Sequence, residues 1–137
     1  MSAAGAVDVH AHYLPEGYRA ALVATGHGQP DGFPQIPAWS AEEHVAAMDR
    51  LGIATSLLSI SSPGVFLTDD AAARDLAREV NEAGRRAVVD HPGRFGLLAS
   101  LPLPDIDAAI AEIARGCKQL DVDGVAVLTN VGGTLPG

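Results

Sequence analysis

Polar and apolar positions alternate over Ala6-Val7-Asp8-Val9-His10 and on to His12. That is the period of a β-strand, and it predicts Asp8, His10 and His12 on one face. A Gly/Pro-rich stretch follows from Leu14 to Trp39, with Pro15, Gly17, Gly26, Gly28, Pro30, Gly32, Pro34 and Pro37. It reads as one long loop, the kind that serves as a lid or binding loop. Ser40-Ala41-Glu42-Glu43 then forms a capping box, with Ser40 capping a helix and Glu43 reaching back. Val45, Met48 and Leu51 continue that helix at apolar spacing, and Gly52 suits its end. Ile53 to Ile60 is a mostly apolar run and predicts a buried strand, ended by Ser61-Ser62-Pro63-Gly64.

The alternation of element types repeats. Thr68-Asp69-Asp70 starts a second helix, with acids where the helix dipole favours them. Leu76, Val80, Ala83 and Ala87 form its apolar stripe, and Pro92-Gly93 stops it. Phe95 to Leu101 predicts a third strand. Asp105 caps a third helix whose stripe is Ile106, Ile110, Ile113, Cys117 and Leu120. That stripe predicts a buried face, with Cys117 as a small core residue. Gly124 to Leu128 predicts a fourth strand. Strands alternating with helices imply a parallel sheet with right-handed crossovers, so the fold class is α/β.

Composition narrows the class. The 137 residues fit one domain, and 47% of them are hydrophobic. The net charge of −8 argues against nucleic acid and anionic membranes as partners. No run reaches the roughly 18 apolar residues of a membrane span, and no secretory pattern opens the chain. Cys117 is the single cysteine, so no disulfide framework or Cys-based zinc site is available, and a reducing cytoplasm is the expected location.

The chemistry concentrates in His10 and His12. Two residues of strand separate them by roughly 6.5–7 Å at the backbone, close enough for convergent imidazoles to share one ion. Imidazole suits zinc and related divalent metals. A bare His-x-His also occurs as two polar residues at a strand end; its place at the end of the first strand of a βα chain favours the metal. Asp8 reads as a structural or ligand-orienting carboxylate. Ser61, Ser62 and Asn130 follow strand ends, where a parallel barrel binds substrate, although serine and asparagine also form turns there. Asn130 is the candidate substrate-binding residue. Tyr13, Arg19 and Trp39 are further candidates for a ring or a carboxylate. His27, His44 and His91 are poor metal candidates by position, and His91 is expected to meet the carbonyls ending its helix. No Gly-rich phosphate loop follows any strand.

Several segments, taken in order, resemble a known family. They are Val7 to Pro15, Met48-Asp49-Arg50-Leu51-Gly52-Ile53, Ser61-Ser62-Pro63-Gly64-Val65, His91-Pro92-Gly93-Arg94-Phe95 and Leu101-Pro102-Leu103-Pro104-Asp105. Together they resemble the N-terminal half of the decarboxylase branch of the amidohydrolase superfamily, the aminocarboxymuconate-semialdehyde and 6-methylsalicylate decarboxylase type. The resemblance implies the N-terminal half of a TIM (β/α)8 barrel over residues 1–137. It implies a divalent metal, zinc first, held in part by His10 and His12. It implies a lyase that removes CO2 from an aromatic or dienoic carboxylate; the alternative within the superfamily is a metal-dependent hydrolase. The family completes its site with a mid-barrel His and a late Asp that have no counterpart here. The chain therefore reads as half of an enzyme, with little activity alone. It is expected to expose strand edges and to pair as a homodimer or with a complementary chain.

Overall fold

The computed structural model describes residues 5–135. Four strands form one sheet in the order β1 (Ala6–His12), β2 (Ile53–Ser59), β3 (Phe95–Ser100) and β4 (Gly124–Ala126). Every neighbouring pair is parallel. Helices α1 (Glu16–Ala24), α2 (Ala41–Leu51), α3 (Asp70–Asp90) and α4 (Ile106–Arg115) fill the crossovers. A 3-10 turn spans Pro30–Gly32 and a π-helical turn spans Gly116–Leu120. Four successive parallel strands, each returning beside the last, make a curled half-barrel, as the pattern of strands and helices implies.

The caps form largely as expected. Ser40 Oγ accepts the Glu43 N–H at 3.2 Å, while the return bond from the Glu43 carboxylate is not made among the described residues. Gly52 ends α2 at φ 70°, the left-handed conformation that favours glycine. Asp69 and Asp105 cap α3 and α4 through the Ala72 and Ala108 N–H groups. Tyr13, Tyr18, Leu22, Met48, Leu58, Val80 and Leu97 fill the space between sheet and helices.

Four expectations are corrected. The stretch from Leu14 to Trp39 is not all loop, because α1 forms within it and buries Tyr18 and Leu22 one turn apart. Pro15 and Gly17 obscure that helix in the sequence, yet proline immediately before a helix is well tolerated. The predicted stripe is buried only in part: Leu120 is buried as expected and Ile113 half-buried, but Ile106 is 61% exposed, Ile110 60%, and Cys117 is also exposed. The buried side of α4 carries Ala109 and Glu112 instead. A polar contact decides this, since Asn81 Nδ2 of α3 donates to Glu112 Oε1 at 2.9 Å. Leu51, at the end of the α2 stripe, is 72% exposed. The fourth strand stops at Ala126, two residues short of the apolar run.

Candidate metal centre

The geometry of β1 begins with a bulge. Asp8 pairs with Ser56 and Ala11 with Leu58, so three steps on β1 match two on β2. Paired residues in a ladder face the same side, and alternation reverses at each step. Asp8 and Ala11 therefore share the helix-facing side with Ser56 and Leu58, both fully buried. His10 and His12 lie on the opposite side. The expectation that Asp8 shares their face fails because the bulge inserts one residue, a common device beside functional sites.

The two histidines converge. Their Nε2 atoms lie 3.1 Å apart, with the rings edge-on at 74°. His12 Nδ1 lies 3.1 Å from Ser59 Oγ and 3.3 Å from the Ser59 carbonyl oxygen. The Ser59 hydroxyl points at the Ala11 carbonyl, 3.5 Å away, so its oxygen is left to accept. Both contacts make His12 Nδ1 the donor and leave Nε2 bare. Two nitrogens each about 2.0–2.1 Å from one ion stand about 2.8–3.4 Å apart, between right-angle and tetrahedral geometry. The observed 3.1 Å separation fits a shared divalent ion. Among the described residues no third His, Cys, Asp or Glu joins them.

A second cluster forms where other strands end. His27, Ser62, Phe66, Thr129 and Asn130 line a cleft of about 250 Å³. Thr25 Oγ1 donates to the Ala21 carbonyl at 2.8 Å and lies 3.0 Å from His27 Nδ1. That makes His27 Nδ1 the donor and leaves its Nε2 as an acceptor. The structure thus groups Asn130 and Ser62 with His27 and Phe66. Neither of the last two carries a sequence signal for this place beyond lying near strand ends. His12, Ser62 and Asn130 all sit at the carboxyl ends of parallel strands, where such folds gather their functional groups.

Other candidates are structural. Tyr13 is buried, and its hydroxyl donates to the Val80 carbonyl at 2.7 Å. Burial pushes the phenols of Tyr13 and Tyr18 well above their ordinary range. Arg19 Nε donates to the Ile36 carbonyl at 3.3 Å and pins the chain after α1. Trp39 Nε1 donates to His44 Nδ1 at 3.1 Å, behind the sheet. The Ser61 carbonyl accepts from Gly64, a turn. The His91 ring packs on Phe95 and approaches Glu42 at 3.9 Å, in place of the helix-end carbonyls.

A curled parallel half-barrel with a convergent His pair ending its first strand defines an amidohydrolase-type fold. No family model matches the chain. It is 38% identical over 128 residues to 6-methylsalicylic acid decarboxylase of Aspergillus aculeatus, covering 92% of this chain and 38% of that protein. An amidohydrolase II crystal structure superposes with a TM-score of 0.89 at 36% identity, over 94% of this chain and 42% of the other. Dihydroxybenzoic acid decarboxylase from Polaromonas sp. JS666, solved with manganese and the inhibitor 2-nitroresorcinol, gives 0.73 at 27% identity, over 88% and 37%. Over nearly its whole length the chain is similar to amidohydrolase-related decarboxylases, and it corresponds to the N-terminal part of their fold. It spans under two fifths of the length of the curated relative it matches.

Proposed function

We propose that the chain carries the first-strand portion of a divalent-metal site in a carboxy-lyase that removes CO2 from an aromatic carboxylate. The observation that carries this reading is the 3.1 Å approach of His10 Nε2 and His12 Nε2, with His12 Nδ1 tied to Ser59. Relatives that act on hydroxylated benzoates support it. His10 and His12 hold the metal in part; catalytic zinc takes three protein ligands, so the others come from outside this copy's described residues. They are supplied by a longer polypeptide, a complementary chain or a second copy. When bound, the metal acts as a Lewis acid toward a substrate oxygen. Imidazole donors favour zinc in our reading, while the Polaromonas enzyme holds manganese.

The cleft beside the strand ends supplies recognition. Asn130 donates its amide N–H to the substrate carboxylate, His27 Nε2 accepts from a ring hydroxyl, and Phe66 presents a face for the ring. The net charge of −8 is consistent with a small-molecule substrate and no nucleic acid. Among the described residues no helix is long and apolar enough to cross a membrane. The single cysteine fits the reducing cytoplasm we propose as its location.

The test is isothermal titration of the dialysed protein with zinc and with manganese, beside His10→Ala. Saturable binding that disappears in the variant is expected. Identical titrations for the two proteins would refute the assignment.

A further inference from the structure

We infer that Asp8 is the positioning residue that sets His10 at the metal site. The inference rests on the metal reading of His10 and His12.

The bulge in β1 takes backbone groups out of the ladder between Asp8 and Ala11. Asp8 Oδ1 accepts the His10 N–H at 3.0 Å, so a side chain replaces the missing ladder partner. The carboxylate fixes the residue that the bulge re-aims. Asp8 itself belongs to a helix-facing row across three strands, because Asp8 pairs with Ser56 and Ser56 with Phe95. His44 of α2 packs on Phe95 at the far end of that row, the ring centroids 5.3 Å apart.

Trp39 then fixes the histidine. Its indole N–H donates to His44 Nδ1, so the His44 proton resides on Nε2. The Trp39 ring is wedged edge-on between Tyr13 at 5.9 Å and His44 at 6.1 Å. The Asp8 charge acts on His44, opposing the burial that depresses its basicity. Ser56 Oγ in the same row is fully buried and has no hydrogen-bond partner among the described residues. A free donor therefore stands in the row beside Asp8.

Two measurements on the full chain test this without any turnover. Amide hydrogen exchange of metal-free protein reads the brace directly. The His10 amide is expected to exchange at least about tenfold faster in Asp8→Ala, and zinc affinity to fall about tenfold, as for other groups that orient a metal ligand. Asp8→Asn retains an accepting oxygen, so its His10 amide stays protected. Unchanged His10 exchange in Asp8→Ala overturns the brace. Where that variant does not fold, Asp8→Val, which also lacks an acceptor, is read in the same way. Zinc binding lost in His10→Ala alongside unaltered exchange in Asp8→Ala refutes the brace and leaves the metal reading standing. Exchange that responds as expected in a protein binding no metal supports the brace and refutes the metal reading.

Discussion

His12 Nδ1 lies 3.1 Å from Ser59 Oγ, across the β1–β2 ladder in which the two residues are direct partners. The hydroxyl and the Ser59 carbonyl together decide which ring nitrogen carries the proton. Ser59→Ala keeps the carbonyl and removes the hydroxyl. Metal affinity is expected to fall about tenfold, the low end for loss of a group that orients a ligand. Calorimetric titration with zinc checks it; unchanged affinity would show that the carbonyl suffices.

Asn81 joins three elements. Its Nδ2 donates to the Ser100 carbonyl and to Glu112 Oε1, both at 2.9 Å, and its Oδ1 accepts the Ser100 N–H at 2.8 Å. Both backbone groups of Ser100, the last residue of β3, depend on one buried amide. Asn81→Ala strands the two Ser100 groups, while Glu112 keeps its bonds from Arg115. The expected cost is about 3 kcal/mol, since each stranded buried group costs on the order of 1–3 kcal/mol. Urea denaturation measures it; a change below about 1 kcal/mol would mean that water replaces the amide.

His44 gives a pH dependence of definite sign. Burial holds its pKa below the ordinary 6.5, and the Asp8 charge offsets this in part. Between the two values the unfolded chain binds the extra proton and the folded chain does not. Stability is therefore fully present above 6.5 and declines as pH falls below it toward the lower folded value. Protonation also removes the acceptor for Trp39, the only tryptophan. Denaturation midpoints at pH 7.5 and 5.5 should differ in the wild type and converge in His44→Gln. Equal wild-type midpoints would contradict the assignment.

Gly84 on α3 allows close packing. A Cβ there would stand 2.5 Å from Leu97 Cδ1 and 2.8 Å from the Tyr13 hydroxyl. Gly84→Ala must displace the Tyr13–Val80 hydrogen bond or push α3 off β3. Overpacking of this kind costs about 1–3 kcal/mol. A lowered thermal midpoint is expected. An unchanged or raised one would show that α3 gives way freely.

Much of the architecture was legible because it depends on local periodicity and punctuation. Ser40, Asp69 and Asp105 cap helices where the sequence places them, through bonds to amides three residues on. The apolar run from Ile53 and the run from Phe95 become strands, and their spacing by helices dictates parallel pairing. His10 and His12 were legible as a pair because two residues of strand return a side chain to the same face.

What the sequence by itself determined, then, was the order of elements, their parallel arrangement and the identity of the paired histidines. Tertiary structure alone decided which faces those residues occupy. A bulge set by pairing with β2 sends Asp8 behind the sheet, though strict alternation predicts otherwise. Glu112 turns inward on α4 while Ile106 and Ile110 face outward, because Asn81 of α3 and Arg115 satisfy the buried carboxylate. His27, Phe66 and Asn130 meet only because the chain folds their separate loops to one end of the sheet. Register, helix rotation and loop convergence depend on contacts between residues far apart in sequence, and no local pattern encodes them.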